Sequence, residues 1–428
     1  WPGGCFADEY HWMDGIGPPA QRKKTVNTTW GGVIDDNAFG THEFMAFAEL
    51  IGADVYINGN LGTGTPAEMA QWLEYMTSDS QSTLANLRRQ NGRDQPWKIQ
   101  YFALGNESWG CGGSMTPAYY TDLYKHFGSF LKTPADNKPE LIASGGHTNL
   151  TEWTDYLIQH VGKDVRLNGI GHHYYTLPSG SWDTNKGPAL GFDETAWFNT
   201  LKQTRRIEGF IQSNVAILDK YDPAKKTGFY VDEWGTWYDT EQGDNPGFLY
   251  QQNSLRDAIV AALNFNIFHQ YADRVRMANI AQMVNVLQAM ILTDKQKMLL
   301  TPTYHAFSLY VPFQDAMRLP VTTDNMPTYD NGKDTMPKLS VTAARGKNGK
   351  LYLALVNVDP RRGETVVIAG GSGFKRANGR LLTADAMDAH NTFEHPDAVA
   401  PEGFQALGSG GKITLDVPAK AVLVLELE

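Results

Sequence analysis

The chain has 428 residues, of which 42% are hydrophobic and 11% aromatic, and its formal net charge at pH 7 is -10. A chain of this length can bury a large core, and its acidic balance, without a Lys/Arg-rich run, excludes nucleic acid as an expected partner. No stretch approaches the roughly 18 uninterrupted apolar residues that span a bilayer, so no membrane partner is expected either.

Short apolar strands alternate with helical segments between residues 31 and 273, which predicts βα units around a parallel sheet. Helices are predicted over 41–51, after Thr65-Pro66, after Thr116-Pro117, and over 151–161, 193–221 and 252–271. Strands are predicted over 53–58, directly before Glu107, and over 140–143, 165–175, 228–233 and 275–280. Both Thr-Pro pairs favour a helix start, because Thr caps the helix and Pro occupies its first position.

These six strands, with Trp1-Pro-Gly-Gly as the tail of another, predict an α/β fold of the (β/α)8 TIM barrel type. The first strand and most of the second are expected to lie outside this chain. After about Leu319 alternating strands separated by Gly and Pro predict an antiparallel β-sandwich. We therefore expect an incomplete catalytic barrel over 1–318 and a jelly-roll-like sandwich over 319–428, with a hairpin loop at 407–412.

Glu107 and Glu233 each follow an apolar run that reads as a buried strand, in YFALGNESWG and GFYVDEWGTWY. In a parallel barrel the C-terminal strand ends form the floor of the active site, so both carboxylates are expected to face substrate. Two such carboxylates indicate glycoside hydrolysis. Two alternatives stay open: Glu107 as a structural carboxylate that pairs with Arg or caps a helix, and Asp232 instead of Glu233 as the inward-facing residue.

Other motifs carry weaker signals. His172 and His173 are adjacent on a strand and diverge, so no metal is expected, and a tyrosine hydroxyl from the same segment is expected near the nucleophile. The glycine-rich segment after Asn60 lacks a phosphate-loop ending and predicts a tight turn. Cys5 and Cys111 are compatible with a disulfide or with two packed thiols. Four tryptophans near expected loop tips are candidates for stacking on sugar rings: Trp12, Trp109, Trp234 and Trp237.

The sequence resembles glycoside hydrolase family 51, mostly α-L-arabinofuranosidases with a few endoglucanases. The resemblance rests on segments that cover nearly the whole barrel portion in the family's order: WPGGCFADEYHWMDGIGP (1–18), INGNLGTGT (57–65), YFALGNESWGCGG (101–113), GHHYYT (171–176), VDEWGTWY (231–238) and AQMVNV (281–286). It implies a (β/α)8 barrel with an appended β-sandwich and retaining hydrolysis by double displacement without a cofactor or metal.

The resemblance also implies roles for individual residues. Glu107 matches the acid/base and Glu233 the nucleophile, and retention requires their carboxyl groups to lie about 5 to 5.5 Å apart. The other implied site residues are Asn106 as a sugar-hydroxyl ligand, Tyr174 as the hydrogen-bond partner of the nucleophile, and Gln282, Trp237, Cys5, Phe6 and Asn60 as substrate-binding positions. Cys5 stands where many members have a sugar-binding Asn, which weakens any transfer of substrate preference.

The function expected from the resemblance is release of terminal α-L-arabinofuranosyl residues from arabinose-containing oligosaccharides or polysaccharides. The alternatives are an endo-β-1,4-glucanase, a non-catalytic carbohydrate-binding protein on a hydrolase barrel and, more remotely, a metal-dependent hydrolase. Family members carry an upstream segment, which we expect to exist in the native protein; a separate, cleaved chain is one form that it could take. Homo-oligomers occur among such barrels, and the sequence gives no localisation.

Overall fold

A computed structural model of the chain describes residues 1–147, 150–370 and 373–428. The helices are α1 (Thr41–Ile51), α2 (Pro66–Thr77), α3 (Thr83–Gln90), α4 (Pro117–Phe130), α5 (Thr151–His160), α6 (Glu194–Arg205), α7 (Ile207–Tyr221), α8 (Leu255–Gln270) and α9 (Pro302–Tyr310). None of these described helices is long and apolar enough to cross a membrane.

The strands in the first part of the chain are β1 (Thr25–Asn27), β2 (Val33–Asp35), β3 (Tyr56–Gly59), β4 (Tyr101–Leu104), β5 (Glu140–Ser144), β6 (Gly169–Thr176), β7 (Gly228–Thr236) and β8 (Val275–Ile280). They are followed by β9 (Ile291–Asp294), β10 (Lys297–Leu300), β11 (Met317–Leu319), β12 (Thr328–Asp330), β13 (Thr335–Pro337), β14 (Leu339–Arg345), β15 (Leu351–Asn357), β16 (Glu364–Ile368), β17 (Arg376–Leu382), β18 (Glu402–Ser409), β19 (Lys412–Val417) and β20 (Ala421–Leu427).

The chain forms two compact units, residues 1–173 with 212–232, and residues 174–211 with 233–428. In the first unit β3, β4, β5 and the start of β6 are parallel neighbours, with Tyr56 beside Tyr101 and Tyr101 beside Glu140. Among the described residues the sheet has the order β3-β4-β5-β6-β7-β8, so β6 and β7 each begin in the first unit and end in the second. The predicted parallel strands are confirmed, with bounds shifted by up to four residues.

Helices α2 and α4 begin as predicted, with Thr as the capping residue and Pro at the first helical position. Thr65 Oγ1 accepts from the Glu68 N–H and Thr116 Oγ1 from the Tyr119 N–H, each with Pro at the first helical position. The predicted helix over 193–221 is instead two helices, because α6 ends at Arg205 and α7 begins at Ile207. The sequence interpretation also missed α3, which begins at Thr83 and is capped by Oγ of the preceding residue, Ser82.

In the second unit the described residues include an eight-stranded antiparallel sheet of order β11-β14-β15-β20-β17-β18-β19-β16. Its core includes the fully buried pairs Leu423/Leu425 and Ile413/Val417. The predicted hairpin near 407–412 is confirmed, because β18 and β19 are joined at Gly410-Gly411. Strands β17 and β18 were not predicted.

Helix α8 is buried on nearly every side, which requires partners for its polar side chains. Asn266 has them: its amide nitrogen donates to Ser340 Oγ at 3.0 Å, and its oxygen accepts from the Tyr310 hydroxyl at 2.8 Å. These two bonds tie the helix to β14 and α9.

Candidate active site

Glu107 stands on a sharply turned loop directly after β4. Gly105 has φ +83°, which favours glycine, and Glu107 itself has φ +44°, which a non-glycine residue rarely adopts. The turn is closed locally, because the N–H groups of Gly110 and Gly112 donate to the Glu107 carbonyl at 2.7 and 3.1 Å. The sequence thus places the carboxylate at the C-terminal strand end on a strained but well-supported backbone.

Asp8 stabilises this loop by accepting backbone hydrogen bonds. Its Oδ2 accepts from the Asn106 N–H at 2.8 Å, and its Oδ1 accepts from the N–H groups of Leu61 and Gly62 at 2.8 and 2.9 Å. Burial raises the pKa of Asp8 to about 6, although these three backbone hydrogen bonds oppose the shift. One carboxylate therefore joins the loops after β3 and β4, a role that the sequence interpretation missed.

Glu107 is paired with His173, which lies near the end of the first unit's part of β6. His173 Nδ1 lies 2.8 Å from Glu107 Oε1, and the two side chains are 12% and 20% exposed. His172 points to the other face, where Nε2 meets Thr154 Oγ1 at 3.0 Å and the ring stacks on Phe229. The predicted divergence of the two histidines is confirmed, and burial lowers the pKa of His172 to about 3.

Behind His173 lies a second carboxyl group, Asp232. His173 Nε2 is 3.5 Å from Asp232 Oδ1, and the Tyr56 hydroxyl donates to Asp232 Oδ2 at 2.8 Å. Burial raises the pKa of Asp232, while the neighbouring His173 and the Tyr56 hydrogen bond oppose the shift. Asp232 thus contacts the histidine that also contacts Glu107.

Cys5 and Cys111 form a disulfide with a Cα–Cα distance of 5.5 Å, which settles the alternative that the sequence left open. Cys111 Sγ lies 3.5 Å from Glu107 Oε2. Because a bonded sulfur has no proton to donate and is no thiolate ligand, this approach is a packing contact and neither a hydrogen bond nor a metal site. The disulfide packs against the carboxylate and covers one side of it.

The nucleophile candidate Glu233 lies on β7 and accepts a short hydrogen bond from the Tyr175 hydroxyl. The prediction that Tyr174 makes this bond was wrong. The Tyr174 hydroxyl donates to the Gln203 carbonyl at 2.5 Å, and its side chain is buried. Successive residues of a strand point to opposite faces, so Tyr174 turns toward α6 and Tyr175 takes the site position.

Aromatic rings surround Tyr175 in the second unit. The Trp237 ring lies edge-on at 4.9 Å from that of Tyr175, and the Trp182 ring lies 5.1 Å from that of Trp237. Trp182 is 53% exposed and was not among the predicted tryptophans. The predicted sugar contact of Trp237 stays a prediction, and Trp182 adds a more exposed ring to this aromatic group.

Two of the candidate tryptophans belong to the core. Trp12 is buried and donates its indole N–H to the Glu68 carbonyl at 3.1 Å, and Trp234 is fully buried among phenylalanines. Trp109 is half-buried and lies edge-on to His147 at 4.5 Å. Among the four tryptophans, stacking on sugar therefore stays a prediction for Trp109 and Trp237.

The side-chain amides of the predicted binding residues Asn106 and Asn60 differ in their hydrogen bonds. Asn106 is buried, and among the described residues its amide nitrogen has no hydrogen-bond partner, as expected of a group that awaits a ligand. Asn60 is the opposite case: its amide donates to Tyr10 O and Thr63 Oγ1 and accepts from the N–H groups of Thr63 and Gly64. These hydrogen bonds engage the amide in building the predicted tight turn, and its sugar contact stays a prediction.

For three further positions the predicted role stays a prediction. Phe6 is partly exposed and lies 5.9 Å from the Tyr10 ring. Gln282 follows β8, where its N–H donates to the Val286 carbonyl at 3.0 Å. Cys5 offers substrate only the apolar surface of a bonded sulfur.

Comparison with known proteins shows which family this chain resembles. Residues 1–187 match the family model described as "Alpha-L-arabinofuranosidase 1 domain", and residues 232–421 match "Alpha-L-arabinofuranosidase C-terminal domain". A curated relative, the "Intracellular exo-alpha-L-arabinofuranosidase" of Bacteroides ovatus, is 47% identical over 432 residues, covering 100% of this chain and 83% of its own length. A "Probable alpha-L-arabinofuranosidase C" of Aspergillus flavus is 29% identical, covering 91% of this chain and 78% of its own.

The chain is also similar to solved structures of arabinofuranosidases. The GH51 arabinofuranosidase from Xanthomonas axonopodis pv. citri superimposes with a TM-score of 0.97 at 50% identity, covering 100% of this chain and 86% of that one. The α-L-arabinofuranosidase from Thermotoga maritima, solved as an arabinose complex, gives a TM-score of 0.85 at 28% identity, with the same coverage of both chains. The chain therefore belongs to glycoside hydrolase family 51, the arabinofuranosidase family with a (β/α)8 barrel and a C-terminal β-sandwich.

Proposed function

We propose that the chain is a retaining exo-α-L-arabinofuranosidase that removes terminal arabinofuranosyl residues from arabinose-containing oligosaccharides or polysaccharides. In this proposal Glu107 protonates the glycosidic oxygen while Glu233 attacks the anomeric carbon. The resulting glycosyl-enzyme is hydrolysed by water that the ionised Glu107 activates, so the anomeric configuration is retained. Asn106 binds a sugar hydroxyl next to the reacting carbon.

One observation carries the assignment: each of the two glutamates is engaged by a different side chain of β6, Glu107 by His173 and Glu233 by Tyr175. A hydrogen-bond donor on a carboxylate favours its ionised form, as a nucleophile requires. Glu107 alternates between acid and base in this mechanism, so its partner must be able both to donate and to accept a hydrogen bond. The imidazole of His173 can do both. The names of the family 51 relatives support arabinofuranoside as the substrate.

The division of the chain into a barrel over 1–318 and a sandwich over 319–428 is also part of the proposal. It is supported to within two residues by β11, which spans Met317–Leu319, crosses the proposed boundary and pairs with β14 of the antiparallel sheet.

The test is hydrolysis of an aryl α-L-arabinofuranoside followed by NMR early enough to detect the anomer formed first. Retention predicts the α-anomer first, and the β-anomer first would refute Glu233 as nucleophile. Glu233→Gln should abolish turnover. Glu107→Ala should lose most activity toward poor leaving groups, and azide, which attacks the glycosyl-enzyme without a general base, should restore its turnover of aryl substrates with good leaving groups. If neither variant loses activity, both catalytic assignments are wrong.

A further inference from the structure

Asp232 is next to the proposed nucleophile in sequence, but its side chain belongs to a different set of contacts. It is 15% exposed and lies against Tyr56 and His173, whose partner is Glu107. These contacts form a continuous series from the Tyr56 hydroxyl to the Glu107 carboxyl, and every member lies in the first unit. The series ends on the group that must transfer a proton in the proposed function.

The structure makes room for this carboxyl group. A Cβ at Gly171 would lie 2.2 Å from Asp232 Oδ2, so any side chain at this position would displace the carboxyl. Tyr56 anchors Oδ2, whereas Oδ1 has no hydrogen-bond partner among the described residues and faces His173 Nε2 at 3.5 Å. A buried carboxylate oxygen without a hydrogen bond opposes folding, so stability alone does not explain an Asp here.

The chemistry of imidazole links Asp232 to Glu107. A neutral ring has one N–H donor and one acceptor nitrogen, and the partner of one nitrogen decides which role the other takes. An ionised Asp232 favours the proton on Nε2 and leaves Nδ1 to accept from a protonated Glu107. A protonated Asp232 reverses both roles. In either state the ring lies between two carboxyl groups, within hydrogen-bond distance of Glu107 and in electrostatic contact with Asp232 at 3.5 Å, which restricts the orientation of Glu107.

We propose that Asp232, anchored by Tyr56, is a positioning residue that acts through His173 to hold the Glu107 carboxyl ready for proton transfer. The inference rests on the proposed function of Glu107 as acid/base. Asp232 touches neither substrate nor the reacting atoms in this proposal. Its effect should therefore depend on how much acid assistance the leaving group needs.

The test is a comparison of leaving groups with Asp232→Asn, which keeps the shape and the Tyr56 hydrogen bond but presents an amide to His173. The value of kcat/KM, which reports the first chemical step, is measured with a methyl and a dinitrophenyl α-L-arabinofuranoside. For the methyl glycoside it should fall about 10- to 100-fold, a part of the 10²–10⁴ that general acid catalysis contributes. For the dinitrophenyl glycoside, which needs little acid assistance, it should stay within about threefold.

Controls separate this inference from the proposed function. Tyr56→Phe removes the anchor and should give the same pattern with a smaller loss. His160→Gln, at an exposed histidine of α5, should leave both substrates unaffected, and the melting temperature of each variant establishes that it folds.

Two outcomes refute different claims. If Glu107→Ala loses activity equally toward both substrates, the acid/base assignment itself fails. If Glu107→Ala shows the leaving-group dependence while Asp232→Asn loses activity equally toward both substrates, or toward neither, the positioning role of Asp232 is wrong.

Discussion

Tyr174 and Tyr175 provide a matched pair, because they are identical, adjacent on β6 and directed to opposite faces. Tyr175→Phe removes the hydroxyl that donates to Glu233 without changing the ring that packs against Trp237. A hydrogen bond to a charged group contributes about 1.5–3 kcal/mol, so kcat/KM should fall about 10- to 150-fold. The melting temperature should change little.

Tyr174→Phe should do the reverse. It removes the hydrogen bond to the Gln203 carbonyl, which still accepts from the Arg206 N–H, so about 1 kcal/mol of stability is lost. In a chain of 428 residues that lowers the melting temperature by about 1 °C, with kcat/KM within about threefold of the parent.

The assay measures kcat/KM on an aryl α-L-arabinofuranoside and the melting temperature for both variants and the parent. Loss of activity in Tyr174→Phe with full activity in Tyr175→Phe would refute the assignment of the two faces. Equal losses of activity and stability in both variants would show that the hydroxyls only support the fold.

Three further predictions concern stability and substrate binding. Burial lowers the pKa of His172 to about 3, so the folded state keeps it neutral while the unfolded state binds a proton below about 6.5. The free energy of unfolding that depends on neutral His172 is fully present above pH 6.5 and falls by up to about 4 to 5 kcal/mol as the pH drops toward 3. Thermal melts between pH 6.5 and 3 should therefore show a flatter pH dependence of the melting temperature for His172→Gln, and an unchanged slope would contradict this prediction. Replacing Cys5 and Cys111 together by Ser opens a loop with a sequence separation of 106 and should cost about 3 to 5 kcal/mol of unfolding free energy. Reduction of the parent by dithiothreitol should lower its melting temperature to that of the variant, and a parent that melts unchanged under reduction would oppose this reasoning. Trp182→Ala should raise KM for arabino-oligosaccharides about 2- to 12-fold at nearly constant kcat, which corresponds to the binding energy of one aromatic contact. The melting temperature should change little because Trp182 is 53% exposed, and an unchanged KM would show that Trp182 does not contact substrate.

The two glutamates could be located from the sequence because a charge at the end of an apolar run has few structural explanations. The faces of β6 could not be assigned with the same success. Alternation groups His173 with Tyr175 and His172 with Tyr174, but it does not say which pair faces the site. The predicted strand also began at Val165, four residues before the observed start at Gly169, so the strand start did not indicate which alternate residues face the site.

The partners of Asp232 were beyond sequence reasoning for a different reason. Tyr56 and Asp232 are 176 residues apart, and their contact depends on strand order and on the space that Gly171 leaves. Strands β17 and β18 were missed because each contains glycine and few apolar residues, so the alternating pattern is weak. Local pattern thus located the elements, whereas contacts between distant segments required the structure.

The left-handed backbone at Glu107 has a consequence for evolution and engineering. A non-glycine residue with φ +44° costs on the order of 1 kcal/mol or more, and the Asp8 bonds around it offset that cost. Glycine or asparagine at position 107 would relieve the strain, so a library selected only for heat resistance should enrich them while losing hydrolysis. Directed evolution of this chain for thermostability therefore needs an activity screen in every round, because at this position the fold and the chemistry prefer different amino acids.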